Sequence, residues 1–391
     1  MTRLFSNLLF KVFVAIVLGI IFGLYLPESV NRIFTTFNAF FGQFLNFAIP
    51  LIIMGLIMPA ISDLGKGAGK LLLLTAAIAY GSTLFSGFMT YFVASGIFPQ
   101  LLESHVATAA EIGSSGPELT PYFTITIPPA LDVMTALVFA FVIGLGLSYQ
   151  EKSSLKLVVK DFETIIMQLI ENVIVPLLPL FILGIFASMS FSGKVFSILS
   201  VFINIIGVIF ALHIILLLLQ YTIAGIVTKQ NPFKLLLRMM PAYFTALGTQ
   251  SSAATIPVTL EQTLKNGVSE KIAGFVIPLC ATIHLSGSTM KITSCAIALM
   301  ILQGMPFDFT LFAGFIFMLG IAMVAAPGVP GGAIMAAVGI LQSMLGFNDE
   351  MIGLMIALYI AMDSFGTACN VTGDGAIALV VDRITKEKLI S

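Results

Sequence analysis

The chain alternates between long apolar runs and short polar connections along its whole length. Eight runs approach or exceed the roughly 20 apolar residues that a helix needs to span a bilayer. They lie near 8–26, 34–61, 70–98, 127–149, 161–190, 195–228, 270–302 and 350–381. Two more apolar stretches, 233–265 and 309–346, are broken by glycine, proline, serine and threonine. This pattern predicts an all-α integral membrane protein with eight transmembrane helices.

The basic residues predict how these helices thread the membrane. Lysines and arginines cluster near 66–70, 152–160, 229–238, 265–271 and 383–388, whereas the long connection 99–126 has glutamates but no lysine or arginine. Because cytoplasmic loops carry an excess of basic residues, we expect a multi-pass protein of the cell inner (plasma) membrane with both termini cytoplasmic. We interpret the first run as a retained helix, since no small-x-small cleavage site of a signal peptide precedes Pro27.

The two broken stretches fit re-entrant hairpins better than spanning helices. Basic clusters flank 233–265 on both sides, so both of its ends belong in the cytoplasm, whereas 309–346 is flanked by Asp308, Asp349 and Glu350. Non-helical backbone at membrane depth is tolerated only where protein buries it or where it lines a cavity. Two such hairpins entering from opposite faces predict inverted repeats, with a binding site where they meet.

A polar stripe runs along the last apolar segment. In MDSFGTACNVTGD, residues 362–374, five positions at i, i+3, i+4, i+7 and i+11 share one helix face: Asp363, Gly366, Thr367, Asn370 and Asp374. A carboxylate in the bilayer interior costs at least about 2.5 kcal/mol, so it normally has a partner and a function. The stripe predicts an inward-facing binding site; the alternative for each aspartate is a helix-packing contact.

Composition narrows the class of protein. Of 391 residues, 58% are hydrophobic and 9% charged, against about 25% charged in soluble domains. The net charge of −1 argues against a nucleic-acid partner. The three cysteines lie in apolar runs without metal-ligand spacing. Neither a nucleophile–base pair nor a continuous polar pore is evident, so a membrane enzyme and an ion channel are both disfavoured.

Two residues of the seventh run leave alternatives open. His284 and Lys291 are seven residues apart, about two turns, and therefore lie on roughly one face of a continuous helix. Lys291 is too far from either end of that helix to be a simple surface anchor. His284 is either a proton-titrating group or a hydrogen-bonded packing histidine.

Four motifs resemble one known family. The stretches SSAATIPVTL, PLCATIHLSGS, GVPGGAIM and NVTGD are similar to those of the dicarboxylate/amino acid:cation symporters, the glutamate-transporter family. The resemblance implies an elevator-type homotrimer in the lipid bilayer that carries a small-molecule amino acid with Na⁺. It also implies a division into scaffold helices one and two (1–69), transport-domain helix three (70–98), scaffold helices four and five (127–190), and the remaining transport domain (195–391).

The resemblance also implies roles for individual residues. Asp363 would take the substrate ammonium, and Thr367 and Asn370 its carboxylate. Others would line the pocket or gate it: Ser251, Ser252, Ser288 and the 328–331 stretch, which includes Gly331. Asp374 would bind one sodium ion with main-chain carbonyls around Cys280, His284 and Asn370. A second sodium ion would use carbonyls near Thr282 and at Met323, Val324 and Ala326.

Departures from the family pattern bear on the substrate. Members that carry acidic substrates have an arginine where Gly366 stands, so the neutral amino acid branch is the better match. Ser286 replaces an aspartate of a third sodium site, which implies one or two sodium ions. We therefore expect sodium-coupled symport of a small neutral amino acid such as serine, threonine, alanine or proline. The alternatives are an acidic amino acid or dicarboxylate symporter with Lys291 as counter-charge, and a proton-coupled or sodium-independent carrier.

Overall fold

A computed structural model describes residues 8–63, 70–113, 119–150, 153–193, 195–326 and 330–390. Within these ranges the chain is mostly helical, with non-helical backbone over 119–132, and contains no strand. The helices, numbered in chain order, are α1 (Leu8–Tyr25), α2 (Glu28–Asp63), α3 (Lys70–Gly113), α4 (Val133–Ser148), α5 (Ser154–Leu169), α6 (Val175–Phe191), α7 (Val195–Thr228), α8 (Pro232–Thr249), α9 (Ser252–Lys265), α10 (Glu270–Ile283), α11 (Ser286–Leu302), α12 (Phe309–Ala325), α13 (Gly332–Leu345), α14 (Asp349–Ala361) and α15 (Asp363–Ile390).

The apolar runs form helices of the expected kind, although not all are continuous spans. Six stretches of the described residues are long and apolar enough to cross a membrane: Leu8–Tyr25, Glu28–Ser62, Lys70–Leu102, Ser154–Phe191, Val201–Thr228 and Glu270–Leu302. The pair α14 and α15 gives a seventh, bent by 62° at its break.

The fourth predicted span is shorter than expected. The run 127–149 contains only α4, a helix of 16 residues that is about 24 Å long. Proline at 128 and 129 lacks a backbone N–H, which disfavours helix there. The helix begins where the Asp132 side chain accepts hydrogen bonds from the backbone N–H groups of Met134 and Thr135, at 2.9 and 3.1 Å.

Two further breaks lie inside predicted spans. His284 and Leu285 are non-helical and separate α10 from α11, and Met362 separates α14 from α15. The break at His284 makes one part of the sequence analysis wrong: His284 and Lys291 do not share the face of one continuous helix. Each break frees backbone groups that a continuous helix would have paired internally.

The two predicted hairpins form helix pairs. The first, α8 and α9, turns at Gln250, whose φ of 54° lies in the left-handed region. The second, α12 and α13, returns at Gly331, whose φ of 77° is one that glycine adopts without strain. Gly328, predicted at this tip, lies outside the described residues.

The helices pack in two neighbourhoods. In one, α1 lies along α6, and α2 contacts α4, α5 and α6. In the other, α3 lies along α11, and α15 contacts α7, α8, α9, α10 and α11. The second hairpin contacts both, since α12 packs on α3 and both of its helices touch α2. The helix α14 also contacts α1 and α6. The grouping into scaffold and transport helices stays a prediction.

The close approach of α11 to α15 depends on a glycine. A Cβ atom added at Gly287 would lie 2.7 Å from the carbonyl oxygen of Gly366 and 2.9 Å from the Cβ of Cys369. Neither neighbour is the end of a flexible side chain, so the backbones themselves would have to separate.

We expect Gly287→Ala to lower the free energy of unfolding by about 1–3 kcal/mol, the usual cost of overpacking a core. Gly274→Ala is the matched control, because a Cβ at Gly274 in α10 meets nothing within 4 Å. Thermal unfolding of both variants in detergent measures the difference. Equal stability of the two variants would contradict this account of the α11–α15 contact.

Candidate functional site

The broken helices and the hairpin tips bring the polar stripe of α15 into the interior of the protein. Asp363, Gly366, Thr367, Asn370 and Asp374 are all buried. The N-termini of α9, α11, α13 and α15 supply non-helical backbone around this region, and unpaired N–H groups at helix N-termini favour anions. The predicted one-sided stripe is thus an interior surface that faces other helices.

Both carboxylate oxygens of Asp363 have partners. The Lys291 Nζ atom lies 3.2 Å from Oδ1, and the backbone N–H of Gly331 donates to Oδ2 at 2.9 Å. Asp363 therefore joins α11, α15 and the tip of the second hairpin at one point. Such charge-assisted bonds are stronger than neutral ones, and here they are shielded from water.

Lys291 is completely buried in the described structure. Its Nζ atom lies 3.7 Å from the centroid of the Tyr359 ring and 3.4 Å from the carbonyl oxygen of Met362. The aromatic face gives the ammonium a cation–π contact. The Met362 carbonyl also accepts the backbone N–H of Gly366 at 3.1 Å, so Lys291 uses its second lone pair. Together these groups hold a charged side chain where lysine is seldom found.

Gly366 provides the space for this lysine. A Cβ atom added at Gly366 would overlap the Cε and Nζ atoms of Lys291. Any side chain at 366 therefore competes with Lys291 for the same volume. The sequence analysis named both residues as determinants of specificity, and the structure places them in direct contact.

Asn370 and Ser288 belong to a second polar network. The backbone N–H of Gly287 donates to Asn370 Oδ1 at 2.8 Å, and Asn370 Nδ2 donates to Ser288 Oγ at 3.2 Å. Ser288 Oγ lies 3.0 Å from the hydroxyl of Tyr359. The Asn370 amide thus links α15 to the start of α11. Tyr359, which sequence analysis missed, connects this network to Lys291.

The first hairpin reaches the site through its tip. Gln250 Nε2 donates to Ser364 Oγ at 2.9 Å, directly beside Asp363 in the chain. Ser251 caps α9, where its Oγ accepts from the backbone N–H of Ala254 at 3.3 Å. Ser252 is buried. The predicted pocket residues Ser251 and Ser252 therefore lie at the N-terminus of α9 next to the start of α15.

Asp374 pairs with His284 rather than lying free. His284 Nδ1 is 2.8 Å from Asp374 Oδ1, and both residues are buried. Since an ionised carboxylate only accepts hydrogen bonds, Nδ1 is the donor. His284 Nε2 lies 3.0 Å from Ser82 Oγ on α3. This pairing gives Asp374 a partner, and both roles considered for His284 stay predictions.

Residues that sequence analysis missed complete this network. Gln220 on α7 donates through Nε2 to Ser82 Oγ at 3.0 Å and to Ser286 Oγ at 3.3 Å. The Gln220 Oε1 atom is buried without a hydrogen-bond partner among the described residues. A glutamine within the long apolar run 195–228 was the signal that could have identified it.

The oxygen atoms near Asp374 suit a hard monovalent cation in type. No hydrogen bond from the described residues reaches Asp374 Oδ2, and the Gln220 Oε1 atom is also without a donor. The Cys280 carbonyl, at the C-terminal end of α10, accepts from the His284 N–H at 2.9 Å and keeps a second lone pair. Carboxylate and carbonyl oxygens are the ligands that hard cations prefer.

The other predicted cation ligands lie at two helix C-termini. Thr282 is in the last turn of α10, and α12 ends at Ala325 with Ala326 after it. These two helices contact each other. The last carbonyls of a helix carry partial negative charge. Met323 and Val324 lie in this last turn, and the Met323 carbonyl also accepts the Ala326 N–H at 3.4 Å. The Thr282 hydroxyl itself donates to Leu279 O at 2.8 Å, so only its carbonyl is a candidate ligand.

Comparison with known proteins identifies the family of the chain that carries this site. The sequence model of the sodium:dicarboxylate symporter family matches residues 8–384. The chain is similar to excitatory amino acid transporter 2 of Homo sapiens, with 32% identity over 167 residues, which are 42% of this chain and 29% of that protein. Similarity to excitatory amino acid transporter 3 of Mus musculus is 33% identity over 165 residues, or 42% of this chain and 31% of that protein.

The matched segments cover less than a third of each of these relatives. The family model, in contrast, extends over nearly the whole chain, including both hairpins and the polar stripe of α15. The chain therefore belongs to the sodium:dicarboxylate symporter family, a family of transporters and not of enzymes.

Proposed function

We propose that this protein is a secondary active transporter that carries a small neutral amino acid, such as serine, threonine, alanine or proline, together with sodium. The observation that carries the choice of substrate is the buried Lys291–Asp363 ion pair, in which Lys291 lies against Gly366. The pair has no net charge. The Lys291 side chain occupies the space beside position 366, where family members for acidic substrates have an arginine.

The ammonium group of the substrate would bind Asp363. Oδ1 of Asp363 already bonds an ammonium, that of Lys291, at 3.2 Å. The same oxygen atom is therefore chemically suited to the α-ammonium of an amino acid. The Lys291 stem is flexible and can withdraw Nζ from the carboxylate.

The carboxylate of the substrate would lie at the helix N-termini beside Thr367 and Asn370. The free N–H groups there, the Ser252 hydroxyl at the start of α9 and the remaining N–H of the Asn370 amide all suit an anion. Ser251 and Ser288 line the same region, and Gly331 closes it from the second hairpin.

Charge balance favours a neutral side chain. A zwitterion adds no net charge to a pocket in which Lys291 and Asp363 already cancel. A second carboxylate would give the buried site a net negative charge, and an uncompensated buried charge costs several kcal/mol. Acidic substrates should therefore bind far more weakly than neutral ones.

A second candidate function is supported by Lys291 itself. The family is named for dicarboxylates, the related proteins are excitatory amino acid transporters, and a fully buried ammonium could serve as the counter-charge of a second carboxylate. In that case Lys291 would leave Asp363 to bind the substrate. The competition experiment below separates the two functions.

Sodium would bind Asp374 through Oδ2, supported by the carbonyl oxygens of Cys280, His284 and Asn370. A second ion would bind the C-terminal carbonyls of α10 and α12, at Thr282, Met323, Val324 and Ala326. Ser286 stands where a carboxylate of a third site would be, so we propose one or two ions per cycle. Family resemblance further supports a homotrimer with an elevator mechanism in the plasma membrane, with cytoplasmic termini.

The substrate class is tested by competition between serine, alanine, proline, aspartate and succinate for the purified protein. In the wild type, neutral amino acids should compete at least about 100-fold better than aspartate, because an uncompensated buried charge costs several kcal/mol. Gly366→Arg must be combined with Lys291→Ala, since a side chain at 366 overlaps Lys291.

The double variant should gain aspartate competition, whereas Lys291→Ala alone should still bind neutral amino acids. Tight binding of aspartate or succinate by the wild type, lost in Lys291→Ala, would instead establish the second candidate function.

Asp363→Asn should weaken amino acid binding about 10- to 150-fold, because it removes a charge-assisted hydrogen bond of about 1.5–3 kcal/mol. Calorimetry with alanine, and with lactate, in which a hydroxyl replaces the amine, measures the effect. Lactate binding, if detectable, should change far less than alanine binding. The double variant Asp363→Asn/Lys291→Met shows whether weaker binding comes from lost recognition of the ammonium or from a buried lysine left without its partner. Intact alanine binding in both variants would reject Asp363 as the ammonium site.

Asp374→Asn should reduce sodium affinity at least about 100-fold, since leaving a buried charge uncompensated costs about 3–5 kcal/mol. Titration of sodium-dependent thermal stability measures this without transport. Asp349→Asn, at the start of α14, is the control carboxylate. His284→Asn keeps the Asp374 carboxylate and should shift the sodium midpoint less than tenfold; an unchanged midpoint in Asp374→Asn would remove Asp374 from the sodium site.

A further inference from the structure

We infer that Lys291 is a tethered counter-ion that holds Asp363 while the pocket contains no substrate and yields this position to the substrate ammonium. The inference rests on the proposed function in one respect, namely that the substrate carries an amine. Its further content is the role of Lys291 in the step in which the carrier returns without cargo.

Each carboxylate oxygen of Asp363 has a partner without any ligand. Lys291 Nζ bonds Oδ1 and the Gly331 N–H bonds Oδ2, at 3.2 and 2.9 Å. Gly331 is the left-handed residue at the start of α13, so the same carboxylate holds the tip of the second hairpin. Asp363 therefore binds both the Lys291 ammonium and the tip of the second hairpin.

In the described part of the chain, Lys291 pairs with one carboxylate. Among the described residues, Asp363 is the only acidic group within ion-pair distance of Nζ. Its remaining close partners are the neutral ring of Tyr359 and the carbonyl oxygen of Met362. The position of Nζ is therefore set by Asp363 from one side and by neutral groups from the others.

The two ammonium groups are interchangeable at Asp363 in charge and in hydrogen bonding. Each brings one positive charge and N–H donors, so their exchange leaves the charge of Asp363 balanced. The carboxylate of the zwitterionic substrate balances the charge of the displaced Lys291 ammonium. Occupancy by Lys291 lowers the apparent affinity of the substrate, because only the fraction of molecules with a free Oδ1 is competent to bind. The flexible stem allows Nζ to withdraw without movement of α11.

The consequence concerns transport rather than binding alone. Without Lys291, an empty pocket would contain an Asp363 charge supported by one backbone N–H, and a buried charge without a partner is strongly unfavourable. Reorientation across the bilayer would then require substrate, whose ammonium supplies the missing charge. With Lys291, the empty pocket is neutral and closed, so the carrier can return empty and complete net uptake.

The experiment compares two modes of transport in proteoliposomes with Lys291→Met. Net uptake is measured into vesicles without internal amino acid, and exchange into vesicles loaded with the unlabelled amino acid. We expect net uptake to fall at least tenfold, exchange to stay within about threefold of the wild type, and the apparent substrate affinity to rise. Lys291→Arg keeps the charge and should retain part of the net uptake.

Each alternative gives a different result. Equal loss of net uptake and exchange in Lys291→Met, with substrate binding intact, would overturn the inference and assign Lys291 a structural role. Unchanged net uptake would overturn it as well. Failure of the proposed function is seen separately, as an absence of neutral amino acid binding by the wild type.

Poor folding of Lys291→Met is controlled by Lys291→Met/Asp363→Asn. This variant removes both charges and should recover much of the thermal stability that the single variant loses. If it recovers none, the pair is not coupled and the inference fails. If Lys291→Met cannot be purified at all, the ratio of net uptake to exchange in Lys291→Arg decides. This variant replaces Nζ by a bulkier guanidinium but keeps the positive charge. A ratio equal to that of the wild type therefore supports charge as the determinant.

Discussion

A polar group at the depth of a bilayer has no water to bond, so it must find its partner inside the protein. The buried aspartates and asparagine of α15 follow this constraint. Asp363 bonds Lys291 and the N–H of Gly331, Asp374 bonds His284, and Asn370 bonds Gly287 and Ser288. Because these partners come from different helices, the polar contacts also determine how the broken helices and the second hairpin are held together.

The breaks in the helices are what make such contacts available. At His284 and at Met362 the chain leaves the helical path. The free N–H of Gly287 donates to Asn370, and the Met362 carbonyl accepts from Lys291 as well as from the Gly366 N–H. The proposed substrate and ion sites both use backbone groups at helix ends. Helix N-termini suit a carboxylate, and helix C-termini suit a cation. A continuous pair of spanning helices could supply neither.

Much of this architecture was accessible from the sequence because the signals were strong. Apolar runs identified the helices, asymmetric basic flanks identified the hairpins, and a single polar stripe identified the buried face of α15. The family membership agrees with the motifs of the last third of the chain. Contacts between distant segments could not be predicted from the sequence. Helix periodicity places His284 and Lys291 on one face, but because the helix is broken between them, His284 pairs with Asp374 and Lys291 pairs with Asp363. Gln220, Ser82 and Tyr359 were missed because an isolated polar residue in an apolar run has no partner visible along the chain.

The contact between Gly366 and Lys291 constrains the order in which substitutions could change this pocket over evolutionary time. An arginine introduced at 366 beside Lys291 would bring a second positive charge into a volume already filled by the lysine stem. Loss of Lys291 first would leave Asp363 without its counter-ion. Neither single step preserves both the space and the charge balance, so the two positions form a coupled pair. An arginine at 366 would therefore have to arise together with a smaller residue at 291.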